Sequence, residues 1–132
     1  MLTDGRGVPL SVVLGPANVH DKWLLAATLD AVVLRAGPHP RRPRRLCLDK
    51  GYYFRDCAAA VRARHIEPHI RRKGEPPLVG RVRGRARRWV VERTNSWHNR
   101  FRALLVRWER KAANHLALVH LASALIALRT AA

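Results

Sequence analysis

At 132 residues the chain holds one domain with a modest core, and no second domain fits. Its 26 Lys and Arg against 9 Asp and Glu leave a formal charge of +17, carried almost wholly by Arg; that excess exceeds ordinary solubility tuning, and the phosphate-matching guanidinium favours nucleic acid over a membrane surface as partner. Cys47 and Cys57 lack the number and spacing of a disulfide scaffold or a zinc knuckle, and no basic flank followed by an apolar stretch opens the chain, so a cytoplasmic, nucleoid-associated protein with reduced thiols is expected.

Asp4-Gly5-Arg6-Gly7 is a turn signal and Val8 to Leu14 reads as a strand with Pro9 at its start, so residues 1–14 are expected to form a hairpin that the chain enters partway through. Gly15-Pro16-Ala17-Asn18 ends the strand. His20-Asp21 offers a cap for a helix from Lys22 to about Arg35, with Trp23, Leu24, Ala27, Leu29, Val32 and Val33 apolar, closed by Gly37-Pro38. A basic, proline-punctuated loop from Pro40 to Arg45 leads into the apolar run Leu46-Cys47-Leu48, where Cys47 is expected to be buried and inert. Tyr52 to His65 reads as a helix with Phe54, Ala58, Val61 and Ala63 inward, and Ile66 to Ile70 as a strand; strand, helix, strand at this spacing predicts a parallel pair. From Arg71 to Arg88 apolar periodicity is lost among glycines, prolines and arginines, which predicts a basic loop. One long helix then runs to about Arg107; its apolar positions Val90, Trp97, Phe101, Leu104, Leu105 and Trp108 recur at helical spacing and are assigned to the core. A last helix, Lys111 to Arg129, is apolar on most of its surface. Its most apolar stretch, Leu116 to Leu128, is shorter than the roughly 20 residues that span a bilayer, and His120 and Ser123 interrupt it, so a buried helix packed over the sheet is expected.

Two acids stand out by position. Asp49 ends a buried strand just before Lys50-Gly51, the usual place for a site in an α/β sheet. Glu92 lies on the polar face of the long helix, roughly 180° from Phe101, with Arg88, Arg93 and Arg100 on the same side. Carboxylates converging from a strand end and a facing helix suit oxygen-only ligation of Mg2+ or Mn2+, and two such ions about 4 Å apart activate a water or a DNA 3′-hydroxyl. Asp49 equally suits a turn cap, and Glu92 a salt bridge to Arg88 or a helix-dipole partner. Spacing leaves both readings open. His65, Glu67 and His69 alternate as ligands on one strand face would, but a solvated strand face explains them better. The cap explains His20-Asp21, and His115 and His120 read as surface or satisfied core residues of the last helix.

The strings DGRGVPL, LCLDKGYYFRDC, RARHIEPHI and RRWVVERTNSWHNRFRALLVRWERKAANHLALVHLASALIALR resemble the catalytic domain of DDE transposases from bacterial insertion sequences over essentially the whole chain. The most specific part is Arg88, three residues, then Glu92, within VVERTNSWHNRF. The resemblance implies an α/β, RNase H-like mixed sheet with flanking helices, and a reaction in which divalent metal, Mg2+ or Mn2+, assists strand cleavage and joining. Asp49 then corresponds to the second acid of the triad and Glu92, with Arg88 beside it, to the third, both as metal ligands. Where the family has a Tyr three residues before that Arg, this chain has Arg85; where it often has a Lys seven after the Glu, this chain has Asn99, with Arg100 adjacent.

The family's first Asp lies on the strand before the hairpin, so its counterpart precedes Met1, and Asp4 is fully explained by its turn. The chain is therefore expected to be a single N-terminally truncated catalytic domain: a hairpin remnant at 1–14, a strand-helix-strand unit at 45–70 with the second acid, a basic loop at 71–88, and helices at 89–129 with the third. With two acids instead of three, little or no strand cleavage by this chain alone is expected. The alternative is a non-catalytic DNA-binding remnant that regulates a full-length transposase. The implied partners are double-stranded DNA, as transposon ends and target, and a second copy or an N-terminal transposase half, with no membrane. For DNA contact the candidates are Arg71, Arg72, Lys73, Arg81, Arg83, Arg85, Arg87, Arg88, Arg93 and Arg100, with Arg41, Arg42, Arg44 and Arg45 second; such residues hold phosphate without reading sequence.

Overall fold

The computed structural model describes residues 1–32, 43–70, 74 and 88–131 of the chain. The predicted hairpin is present but short: β1 (Leu2–Thr3) pairs antiparallel with β2 (Pro9–Ser11). Its turn is built by Asp4, whose Oδ1 accepts from the Arg6 and Val8 amides at 2.8 and 2.9 Å. Gly7 completes it at φ 86°, a left-handed conformation that glycine adopts without strain. The predicted strand stops at Ser11, where the side chain turns inward and donates to the Thr28 carbonyl at 2.6 Å.

His20 caps the next element as expected, its Nδ1 accepting from the Lys22 amide at 3.2 Å. A 3-10 turn, Asp21–Leu24, runs into α1 (Leu25–Asp30), which is shorter than the helix predicted to Arg35. Leu25 and Leu29, one helical turn apart, face the core, whereas Trp23 is 67% exposed. The predicted parallel pair forms between β3 (Arg45–Leu48) and β4 (Glu67–Ile70), with Arg45 opposite Glu67 and Leu48 opposite Ile70. The crossover between them is a 3-10 turn, Lys50–Tyr52, and α2 (Arg55–Arg62). The inward positions of α2 are Cys57 and Val61, the latter as expected, with Ala58 half-buried; Phe54, which precedes the helix, and Ala63, which follows it, are exposed, correcting their assignment inward. Leu25, Leu29, Leu46, Cys57 and Val61 make the core, with Leu2, Leu48, Tyr52 and Ile66 against it. Arg64 fixes α2 to α1 by a two-pronged pair with Asp30 at 2.8 and 2.6 Å, and those hydrogen bonds hold the Asp30 carboxyl below the usual range.

The fold is mixed α/β. Among the described residues the strands form two separate two-stranded ladders, β1-β2 and β3-β4, not one continuous sheet.

The long helix predicted to Arg107 is interrupted. It divides into α3 (Arg88–His98) and α4 (Arg102–Leu105), because Phe101 leaves the helical conformation at φ -88° and ψ 106°. The core assignment changes with it. Val90, Thr94 and His98 are the buried stripe of α3, while Leu105 and Trp108 are 63% and 80% exposed. The last helix, α5 (Ala112–Ala131), packs against α3, α4 and β2. It is not the buried helix expected: of its apolar side chains Ala122 and Ile126 are buried, and Leu121, Leu125 and Leu128 face outward. Ala112–Thr130, with mean hydropathy 1.3, is long and apolar enough by length and composition to cross a membrane, beyond the shorter span read from the sequence. One such helix is weak evidence of a membrane span, since the mostly buried core helix of a soluble protein passes the same test; 11% of this window is buried.

Cys47 is exposed on β3, correcting the expectation that it is buried, while Cys57 is 3% exposed and burial pushes its thiol up. A maleimide reagent is therefore expected to modify one thiol per folded chain, Cys47, and to reach Cys57 only after denaturation; peptide mass mapping reads both, and equal labelling in the folded state would contradict this packing.

Candidate active site and nucleic-acid face

Asp49 stands where strand β3 ends. Its backbone is extended at φ -69° and ψ 162°, and Oδ1 accepts from the Lys50 amide at 2.6 Å, so the cap that the sequence offered is in fact used. That cap does not consume the carboxylate, which has a second oxygen and is exposed. The neighbouring Tyr52 phenol is pushed up, first by its burial and then by the negative charges of Asp21, Cys57 and Asp49. Asp21 and Asp49 thus both act on one hydroxyl, across the packed 3-10 turns that precede α1 and α2.

Glu92 lies in the second turn of α3, exposed, on the side opposite the buried stripe of Val90, Thr94 and His98. That stripe seats the helix. The Thr94 hydroxyl, fully buried, lies 2.7 Å from the Gly7 carbonyl and 3.0 Å from the Val90 carbonyl, joining α3 to the hairpin turn across 87 residues of sequence. His98 Nδ1 donates to the Thr94 carbonyl at 3.0 Å, since a carbonyl only accepts, and Nε2 faces the Ser123 hydroxyl of α5 at 3.0 Å. Glu92 is therefore displayed on a helix held from two sides.

Arg93 was assigned from the sequence to the polar face with Glu92, and its placement corrects that. Its guanidinium lies 4.7 Å from the Trp89 ring and 4.9 Å from the Trp97 ring and donates to the Arg6 carbonyl. One helical turn separates each ring from Arg93, so cation-π contact with both follows from the 3.6-residue period. Arg100 is exposed at the bend after α3. Arg71, Arg72, Lys73, Arg81, Arg83, Arg85 and Arg87, and the side chain of Arg88, lie outside the described residues, as do Arg41 and Arg42. Arg45 is exposed but paired with Glu67 at 2.7 Å. That pair also removes the reading of His65, Glu67 and His69 as one ligand face: Glu67 is engaged, and His65 sits before β4 at φ 59°.

Among the described residues no three His, Cys, Asp or Glu side chains come together in a group that could hold a metal ion. Asp49 and Glu92 each carry the oxygen donors that a hard divalent cation takes. Gly7 is legible in the sequence as a turn residue, whereas Thr94 and His98 are not singled out there. A polar residue at the centre of the stripe Val90-Thr94-His98 was the signal, yet its partner lies too far along the chain to be read by periodicity.

A family model for the transposase DDE domain matches residues 1–127, and the chain belongs to that family. It is also 39% identical over 135 residues to a Burkholderia cepacia protein named "Putative transposase for insertion sequence element IS402", a match that covers 98% of this chain and 62% of that protein. The chain thus spans less than two thirds of the relative's length. No solved structure matches. The family generally uses divalent metals and acts on DNA.

Proposed function

We propose that this chain is the part of an insertion-sequence transposase that supplies two of its catalytic carboxylates, Asp49 and Glu92, for metal-assisted cleavage and joining of DNA strands in an RNase H-like domain of the bacterial cytoplasm. The family match over residues 1–127 carries the reading. What supports the two residues is their display: each is an exposed carboxylate, Asp49 at the end of a strand and Glu92 on a helix seated by buried contacts. Mg2+ or Mn2+, when bound, would stabilise charge on the phosphate oxygens and lower the pKa of an attacking water. The chain's own part is to hold the two carboxylates and to bind the DNA backbone through its arginines. A further carboxylate from outside the described residues completes the set.

A second reading is that the chain by itself acts as a DNA-binding regulator that occupies the ends or the dimer surface of a whole transposase; its charge of +17 supports DNA binding with or without cleavage. One assay separates them. The chain is incubated with supercoiled DNA bearing insertion-sequence ends and Mn2+, alone and with the remaining segment of the Burkholderia cepacia relative. The expected result is binding without nicking by the chain alone, nicking on addition of the segment, and loss of nicking by at least about 100-fold in Asp49→Ala or Glu92→Ala, as for removal of a group acting in the transition state. Binding that never leads to nicking would leave the regulator. Nicking indifferent to both acids would sink the catalytic assignment.

A further inference from the structure

The segment between α4 and α5 has no role in the site just described. Val106 to Lys111 runs without helix, starting from an extended Val106 at φ -122° and ψ 116°. In such backbone successive side chains point to opposite sides. Glu109 turns inward, its carboxylate 3.9 Å from His115 Nδ1, with 24% and 15% of the two side chains exposed. Trp108 faces the other way, 80% exposed, the most exposed large apolar residue described. Exposing an indole so fully forfeits the burial that ordinarily places Trp in a core.

The charges around it are of one sign. Arg102, Arg107, Arg110 and Lys111 are all exposed, and Glu109, the only acid after Glu92, is turned away. Arg107 is also held, its Nε donating to the Glu109 carbonyl at 3.1 Å, which ties its side chain to the backbone of the segment. An open aromatic face among phosphate-binding cations is the composition of a stacking platform with an electrostatic track. A second copy of this chain fits poorly here, since its charge is also +17.

We infer that Leu105 to Lys111 is a second DNA-binding surface, on which Trp108 stacks against an unpaired nucleotide while Arg107, Arg110 and Lys111 hold the phosphates of the same strand. The inference rests on the DNA-binding reading above and adds a single-strand contact on an element separate from Asp49 and Glu92. Binding of a fluorescein-labelled oligothymidylate and of plain duplex is measured by anisotropy for the full chain and for Trp108→Ala, Trp108→Tyr and Arg110→Ala, over a range of salt. Trp108→Ala is expected to bind the oligothymidylate roughly 5- to 150-fold more weakly with its salt slope unchanged, which is the range for one base-stacking contact. Trp108→Tyr should restore most of the affinity, and Arg110→Ala should lower the slope by about 0.7. Because the indole is exposed, the melting temperature should not move. Unchanged oligothymidylate affinity in Trp108→Ala overturns the inference, also where sedimentation shows that the substitution alters self-association, since the surface would then be a protein contact. Failure of the unsubstituted chain to bind either DNA removes the underlying reading too, whereas duplex binding with an inert Trp108 removes this inference alone.

Discussion

Raising monovalent salt from 50 to 200 mM is expected to weaken duplex DNA binding by about 10³-fold or more, for a footprint of roughly six to ten phosphates. The chain's charge of +17 exceeds that footprint, so the estimate does not need every arginine to reach DNA. Some are already engaged within the protein: Arg93 with Trp89, Trp97 and the Arg6 carbonyl, Arg64 with Asp30, and Arg45 with Glu67. These internally engaged cations should contribute little to the slope, while Arg100→Ala should lower it by about 1 without changing sequence preference. Fluorescence anisotropy across a salt series measures both. A flat dependence would remove the electrostatic basis for DNA as partner.

Thr94→Val is expected to destabilise the fold by about 1–3 kcal/mol, although it preserves shape and volume, because the Gly7 carbonyl and its surroundings lose a buried donor. Gly7→Ala should cost a comparable amount by a different route. Gly7 has φ +86°, and an added Cβ would meet Thr94 Oγ1 at 3.0 Å and the Arg93 guanidinium at 3.2 Å. Such backbone strain costs of order 1–3 kcal/mol for a side-chain-bearing residue. The two sites touch, so their effects should not add: in a Thr94→Ala background the Cβ meets no hydroxyl, and Gly7→Ala should cost less there by roughly 0.5 kcal/mol or more. Urea denaturation of the four chains closes this cycle. Strict additivity would show that Gly7 and Thr94 do not support one another, and the account of how α3 is seated would fail. If α3 is seated as described, amide exchange along α3 should also rise in both single variants, since the turn is one of the two supports of the helix that displays Glu92.

Local chemistry was legible wherever a few neighbouring residues decide the outcome. Asp4 with Gly7 made the turn, His20 and Asp49 each made the cap that their side chains offered, and strand, helix, strand spacing made the parallel pair β3-β4. The family resemblance was legible for the same reason, since the motif around Arg88 and Glu92 is contiguous, and the match over residues 1–127 bears it out. Periodicity failed where the chain changes direction. From Val90 to Trp108 the apolar spacing continues as if through one helix, but the backbone turns at Asn99 to Phe101, and after the turn Leu105 and Trp108 face outward while Leu104 stays half-buried.

What the sequence determined by itself is thus the charge, the turns, the caps, the parallel crossover and the family, because each depends on composition or on residues close in the chain. Tertiary structure alone decided that Trp108 and Cys47 face outward, that α5 leaves Leu121, Leu125 and Leu128 exposed, and that Arg93 reaches the Arg6 carbonyl. It also decided that Thr94 and His98 support Glu92 from the hairpin and from α5. These are contacts between residues 25 to 87 positions apart, and burial at such distances is set by which elements meet, a condition that no local pattern of side chains encodes.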